Sequence, residues 1–306
     1  MKIATLTMNP TIDMNSDVDQ VLAEHKLRCG KPQFEPGGGG INVSRAIRNL
    51  GGDSIALLPV GGPNGDLLKQ LLSGEKINFE SIPIKEHTRL NINIYEESST
   101  KQYRFIMPGP ELSENEWKQC LDKVKDLEEK PDYIVISGSL PPGVPKDIFE
   151  TAANIGKEIN AKVIIDSKKI SLSCLKKCGV FMIKPNLREF QQLAGTEAED
   201  DAQIEASTKK IIKEGKIKVI IISMGAGGAM MITQNECKHF RSPTVPIKSK
   251  VGAGDCMTAG IVYSLAQGRS LADAVKFGVA AGAAAVMTPG TELCKKEDTE
   301  KLYKRT

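Results

Sequence analysis

Six short runs of aliphatic and β-branched residues, each followed by a segment of helical period, set the frame for what this chain can fold into. The runs are residues 3–7, 54–60, 133–137, 162–166, 181–184 and 218–223. They are apolar nearly throughout instead of alternating, which predicts strands buried on both faces. Helical patterns occupy residues 42–50, 66–72, 116–128, 146–159, 187–193, 202–213 and 255–266. Strands alternating with helices in this way predict an α/β fold, with a mostly parallel, doubly wound sheet flanked by helices. The length of 306 residues allows one large core plus a small appendage.

Two segments break the alternation. Residues 88–106 place Leu90, Ile92 and Ile94 on one face and Asn91, Asn93 and Tyr95 on the other, then turn through a polar stretch to Tyr103 and Phe105. That pattern reads as an antiparallel hairpin. Residues 12–34 are polar and have no helical period. Together they predict a small β-sheet lid of residues 12–34 and 87–108, standing on a main domain of residues 1–11, 35–86 and 109–306. A sheet with one apolar face and no helix of its own must cover that face with the main domain or a second subunit. The expectation is a homodimer formed through the lids.

Composition narrows the function. A formal charge of +3, with lysines spread along the chain, argues against nucleic acid as a partner. No apolar run reaches about 18 residues, so no membrane span is expected. The N-terminal Met-Lys-Ile-Ala-Thr-Leu-Thr reads as a strand and not as a signal peptide. Seven scattered cysteines (29, 120, 174, 178, 237, 256 and 294) suit reduced thiols in a cytoplasm. Cys174 and Cys178 have no second pair or histidine cluster nearby to complete a structural metal site.

Four glycine- or carboxylate-bearing segments carry the chemistry. In Gly252-Ala253-Gly254-Asp255, glycines precede an apolar helix, so backbone N–H groups and the helix dipole converge where an anion would sit. A phosphoryl group in transfer needs that environment, and an aspartate there can accept a proton from an attacking hydroxyl. The same four residues would also make an ordinary glycine turn with an Asp near a helix start. Glu35-Pro-Gly-Gly-Gly-Gly-Ile-Asn-Val43 opens another amphipathic helix. Four ordered glycines cost roughly 1 kcal/mol each relative to alanine, which suggests close approach of a ligand to the main chain, or else a hinge. It is neither a Walker loop nor a Rossmann fingerprint. Asn186 and Glu189, in Lys184-Pro-Asn-Leu-Arg-Glu189, are spaced either for Mg²⁺ or for a capping box. Ser223-Met-Gly-Ala-Gly-Gly-Ala229 follows the last strong strand, where open α/β sheets bind ligands, although a plain hairpin would look the same. Arg89 and Arg104 flank the hairpin and would suit a phosphate ester.

In this order the segments resemble the ribokinase-like PfkB family of carbohydrate kinases, over nearly the whole chain. Lys26-Leu-Arg-Cys29, Phe34 to Val43, Gln102-Tyr-Arg-Phe105, Met107-Pro-Gly109 and Ser137-Gly-Ser-Leu-Pro-Pro-Gly143 are similar to its phosphosugar branch, most of all to the isozyme-2 6-phosphofructokinases. The 1-phosphofructokinase and tagatose-phosphate members tend to carry a lysine where this chain has Gly39.

The resemblance implies ATP-dependent phosphorylation of fructose 6-phosphate at its C1 hydroxyl, in glycolysis. Asp255 would be the base and Gly252, Ala253 and Gly254 the anion hole. Asp13, Gly38, Gly39, Asn42 and Ser139 would hold the sugar. Arg89 and Arg104 would hold its phosphate, with Lys26 and Arg28 reaching across from a partner lid. Lys184, Asn186, Ser223, Gly225 and Gly228 would line the ATP side, Glu189 and Asn186 would organise Mg²⁺ through water, and residues 277–287 would wall the adenine. Lys250 departs from the threonine that relatives often carry. Residues there and at 285–290 form a monovalent cation site in several members, so Lys250 either leaves a K⁺ site of main-chain carbonyls intact or replaces the ion. Tagatose 6-phosphate, fructose 1-phosphate and other sugars remain alternative substrates. A catalytically silent sugar-phosphate sensor is disfavoured because every candidate catalytic position is filled.

Overall fold

The computed structural model describes residues 1–305 except 169, 196–199, 289 and 291. In chain order the first strands are β1 (Ile3–Leu6), β2 (Thr11–Val18), β3 (Gln33–Gly37), β4 (Ile55–Val60), β5 (Asn78–Pro83), β6 (Arg89–Glu96) and β7 (Lys101–Phe105). They are followed by β8 (Tyr133–Ser137), β9 (Lys162–Asp166), β10 (Met182–Ile183), β11 (Val219–Ser223), β12 (Ala229–Ile232) and β13 (Cys237–Phe240). The helices are α1 (Gly39–Asn49), α2 (Gly62–Gly74), α3 (Glu114–Asp126), α4 (Ile148–Glu158) and α5 (Leu172–Cys178). The remaining helices are α6 (Leu187–Ala194), α7 (Asp201–Gly215), α8 (Ala253–Ala266), α9 (Leu271–Val286) and α10 (Lys296–Tyr303).

Nine strands form the main sheet in the order β13-β12-β11-β10-β9-β8-β1-β4-β5. All pairs from β11 to β5 are parallel, and β12 and β13 are added antiparallel at one edge. The apolar runs are buried on both sides because helices cover both faces. Helices α3 to α7 pack on one face, through side chains such as Trp117, Phe149, Leu175, Phe190 and Ile211. Helices α1, α8, α9 and α10 cover the other, through Val43, Ile47, Ile261, Val275 and Leu302. Helices α8 and α9 come unusually close because small residues face each other. A Cβ on Gly278 would lie 2.7 Å from the Met257 carbonyl oxygen, and one on Gly260 2.9 Å from Ala281 Cβ. Strand order reverses at β1, which has β4 on one side and β8 on the other. The carboxyl ends of β1 and β8 therefore flank a topological switch point, the usual ligand position in such sheets.

The second sheet has four strands in the order β3-β2-β6-β7. Strand β3 runs through the residue 34/35 division expected from sequence, because Glu35 and Pro36 continue the ladder opposite Asp13 and Ile12. The burial of its two faces is opposite to hydropathy. The polar side chains of Asn91 and Asn93 are buried, whereas Leu90, Ile92 and Ile94 on the other face are only half-buried; Glu96, at the end of that second face, is buried as well. Hydrogen bonds make this possible: Asn91 Nδ2 donates to Asp13 Oδ1 (2.9 Å), Asn93 Nδ2 to Asn15 Oδ1 (2.9 Å), and the Val21 N–H to Glu96 Oε1 (2.7 Å). On the opposite face, strand register places Phe34, Met14, Ile92 and Phe105 in one row across all four strands. Phe105 is 51% exposed and the adjoining Ile106 54%. Phe34, on edge strand β3, is 38% exposed, whereas Met14 and Ile92 between the two phenylalanines are half-buried.

Candidate active site

Strand ends and two helix starts build one cleft. Helices α1 and α8 begin at glycine N-caps, Gly38 and Gly252, with positive φ (114° and 76°) and no side-chain cap. By contrast, α3, α5, α6, α7 and α9 are capped by Ser113, Ser171, Asn186, Asp200 and Ser270, while α2, α4 and α10 also lack a side-chain cap but start with ordinary negative φ at Gly61, Asp147 and Lys295. The first N–H groups of α1 and α8 are therefore left for something other than a cap. The α1 glycines are also demanded by the chain's own packing. A Cβ on Gly38 would meet Thr7 Cγ2 at 2.7 Å, one on Gly39 the Gly138 nitrogen at 2.6 Å, and one on Gly40 Thr7 Oγ1 at 2.5 Å.

The glycine run joins the two ends of the cleft. At its start Gly37 lies against the Asp13 carboxylate, so closely that a Cβ would overlap it. One turn into α1, Asn42 Nδ2 donates to Asp255 Oδ2 at 2.8 Å. The Asp255 carboxyl is pushed up to about 7, chiefly by burial and then by the nearby Asp166 carboxylate. Asn42, Lys184 and Ser137 pull in the other direction without cancelling these effects. A carboxylate that titrates near neutrality at the open start of a helix has the properties of a general base.

Asp166, at the end of β9, was not singled out from the sequence. Its Oδ2 lies 3.2 Å from Lys184 Nζ and accepts a hydrogen bond from Thr258 Oγ1 at 2.7 Å. Lys184 is 4% exposed, and its ammonium lies 3.7 Å from where a Cβ would stand on Gly254. The ion pair thus fixes a buried cation beside the α8 N-terminus. The readable signal was an aspartate ending an otherwise aliphatic strand.

Asp13, Arg89 and Arg104 come together in the smaller sheet. Burial raises the Asp13 carboxyl, opposed by the bond from Asn91 and by the charges of Arg104, Arg89 and Arg45. The Arg89 guanidinium donates to the carbonyls of Asn9 (3.0 Å), Met107 (3.2 Å) and Pro10 (3.4 Å). Arg104 Nε donates to Asn93 Oδ1 at 3.3 Å. Ser139 is exposed and accepts from Asn9 Nδ2 at 3.1 Å. Lys26 and Arg28 lie on the exposed β2–β3 loop, where neither forms a side-chain hydrogen bond or ion pair with the described residues.

Beyond Lys184, Asn186 and Glu189 form the capping box of α6. The Glu189 N–H donates to Asn186 Oδ1 (2.9 Å) and the Asn186 N–H to Glu189 Oε2 (3.0 Å). Asn186 also bridges to Ser223. Gly225 and Gly228, with φ of 57° and 94°, form the turn between antiparallel β11 and β12, so this glycine segment is a hairpin loop at a strand's carboxyl end. Residues 277–287 fall mostly within α9. Phe277 packs between Tyr263 and Tyr303, at 6.1 and 5.4 Å between ring centroids, and so is part of the core and not a wall of the cleft.

The arrangement matches known proteins along its length. The family model for pfkB family carbohydrate kinases matches residues 6–298. ATP-dependent 6-phosphofructokinase isozyme 2 of Mycobacterium tuberculosis is 40% identical over 302 residues, covering 99% of this chain and 89% of that protein. The isozyme 2 enzyme of Escherichia coli is 39% identical over 304 residues, covering 99% and 98%. The crystal structure of phosphofructokinase-2 from Escherichia coli in complex with substrates and products superposes with a TM-score of 0.91 at 38% identity, covering 100% of this chain and 99% of that one. With a family match across the sheet, the glycine run and the α8 start alike, the chain belongs to the pfkB family of carbohydrate kinases.

Proposed function

We propose that the chain transfers the γ-phosphoryl group of ATP to the C1 hydroxyl of fructose 6-phosphate, giving fructose 1,6-bisphosphate and ADP. The observation that carries this reading is the Asp255 carboxylate at the uncapped start of α8, tied through Asn42 and the glycine run to Asp13, with burial and Asp166 pushing its carboxyl up to about 7. Asp255 accepts the hydroxyl proton. The N–H groups of Ala253 and Gly254 and the start of α8, opened by Gly252, stabilise the charge on the phosphoryl group in flight. Asp13, Gly38, Gly39, Asn42 and Ser139 hold the sugar, while Arg89 and Arg104 hold its phosphate. For Arg104 this needs little change, whereas Arg89 must exchange carbonyl partners for phosphate oxygens. At Gly39 a side chain would collide with the Gly138 nitrogen, which supports reading this glycine as a departure from the lysine-bearing branch.

The ATP side comprises Lys184, Asn186, Ser223, Gly225 and Gly228. Mg²⁺ suits the oxygen-rich surroundings of Glu189, Asn186 and Asp166, where carboxylate oxygens beyond those used in the capping box and the ion pair can hold its water shell. Potassium has less support. Val286 O already accepts the Lys248 N–H (2.8 Å), Ala285 O accepts Thr288 Oγ1 (2.8 Å), and Pro289 lies outside the described residues. No step here relies on that ion. The reading places the enzyme in the cytoplasm, without nucleic-acid or membrane partners. No helix among the described residues is long and apolar enough to cross a membrane.

A sugar panel with an ADP-release assay tests the assignment. Fructose 6-phosphate should give the highest kcat/KM, ahead of tagatose 6-phosphate, fructose 1-phosphate and free sugars. Robust turnover of ribose or adenosine with none of fructose 6-phosphate would sink it.

The row Phe34-Met14-Ile92-Phe105 supports a homodimer through the smaller sheets, which act as lids made of residues 12–34 and 87–108. Lys26 and Arg28 then project toward the partner's phosphate site. In sedimentation velocity the parent should run as a dimer. Phe105→Glu should shift it toward monomer and raise the KM for phosphosugar at least about tenfold, as expected for loss of charge-assisted contacts. A variant that remains dimeric with unchanged KM would remove this role for the row.

A further inference from the structure

Asn9 lies on the β1–β2 connection, and none of the roles above uses its side chain. It is 6% exposed, and its Oδ1 is one of four buried side-chain oxygens left without a hydrogen-bond partner among the described residues. Such an orphan is costly enough to need a reason. Its surroundings supply one. The Nδ2 end reaches up to Ser139 Oγ at 3.1 Å, from beneath a residue that is itself exposed in the cleft. The Oδ1 end faces Gly109, where a Cβ would overlap it, so a Gly109 Cα–H points at this oxygen. The opposite amide orientation would press an unpaired NH₂ against that same C–H, which the carbonyl tolerates better. The amide is therefore held one way round, with its donor toward Ser139.

We infer that Asn9 is a positioning residue for phosphosugar binding. By donating to Ser139 Oγ from below, it occupies one lone pair of that hydroxyl and turns the Ser139 proton away, into the cleft. Ser139 is then presented as a hydrogen-bond donor to an oxygen-rich substrate, without having to choose between donating and accepting when substrate arrives. The Asn9 backbone adds to the same effect, because its carbonyl holds the Arg89 guanidinium at 3.0 Å. One residue thus ties Ser139 to Arg89, and Gly109 keeps the amide in register.

This inference rests on the placement of Ser139 in the sugar site, and the test separates the two. Steady-state kinetics on the full chain, with fructose 6-phosphate and ATP varied in turn, compare Asn9→Ala, Asn9→Asp, Ser139→Ala and Asn9→Ala/Ser139→Ala. Asn9→Ala and Ser139→Ala should each raise the KM for fructose 6-phosphate about tenfold, the worth of one oriented hydrogen bond, with kcat and the KM for ATP within about twofold. The double variant should be no worse than Ser139→Ala alone, because Asn9 acts through Ser139. Asn9→Asp, nearly isosteric, should bind worse than the parent, since a carboxylate would take the Ser139 proton for itself. The melting temperature of Asn9→Ala should hold, because the substitution also removes an unpaired buried oxygen. An unchanged KM in Ser139→Ala would refute the placement of Ser139 and the inference with it. An impaired Ser139→Ala beside a normal Asn9→Ala or Asn9→Asp, or additive effects in the double variant, would overturn the inference alone.

Discussion

Asp255→Asn should lower kcat by about 10³- to 10⁴-fold, the upper range for loss of a positioned general base, and leave KM within a few-fold. Asparagine keeps the shape of the side chain and can still accept from Asn42, so binding geometry survives while the proton acceptor is lost. Two pH measurements sharpen the test. In the parent, kcat/KM should rise with pH and level off above about 7, as the carboxyl ionises. The variant's residual rate should lack that limb. For stability, the folded-state value lies above the usual 3.8, so the contribution of the neutral acid is fully present below about 4 and lost as pH rises through about 7. Asp255→Asn should therefore melt at a similar temperature to the parent near pH 4, and higher than the parent at pH 8. Near-normal turnover in the variant would remove Asp255 as the base.

Most elements inside the sheet were legible because burial leaves a continuous apolar record; β12 is the exception, a buried strand of four residues directly after the glycine turn and too short to stand out. All six predicted runs are strands of the main sheet, each within a residue or two of its expected limits. Strand β5 went unread because it is the sheet's edge: Asn-Phe-Glu-Ser-Ile-Pro is half solvent-facing and ends in proline. Strands β2 and β3 were recognised only as parts of a small sheet. The β2 side chains Asp13 and Asn15 accept from Asn91 and Asn93, and Asn15 donates to Glu35 of β3; hydropathy has no sign for an amide buried against a carboxylate or another amide. The same effect inverted the two faces of β6.

The site was legible where glycines or fixed spacings announced it. The run from Gly37 to Gly40 stands out because a Cβ would collide at each position, and Gly252 because its backbone is left-handed, whereas at Gly254 a Cβ would meet only the Lys184 ammonium at 3.7 Å. At Asn186 and Glu189 sequence left a capping box and a metal site as rivals. The box is present and uses one carboxylate oxygen, so the two uses are compatible. Asp166, Thr258 and Asn9 were missed for a common reason. Each acts as a single residue, at the end of β9, within α8 and on the β1–β2 connection, and its importance depends on what the fold brings beside it.

Asp166→Asn should be the second most damaging change, for a reason separate from loss of the base. Lys184 is 4% exposed and has its ion pair with Asp166, so neutralising the carboxylate leaves a buried ammonium undercompensated. Removing one partner of such a pair typically costs about 3 kcal/mol or more, and the variant should melt several degrees lower. An asparagine can still accept from Thr258, which confines the loss to charge and not to the packing of α8. The catalytic consequence has a direction of its own. Asp166 is the nearby charge that raises Asp255, and Lys184 opposes it. Without Asp166 only burial still opposes ionisation, against Asn42, Lys184 and Ser137, so the acid limb of kcat/KM should move to lower pH. Turnover should nevertheless fall about 10²-fold, because Lys184 is no longer held beside Gly254, where positioned charge stabilises the transferring group. A lower kcat with the limb unmoved would mean that burial alone sets the Asp255 value. A limb moved to lower pH with full turnover would show that Lys184 needs no carboxylate to hold it at the α8 start.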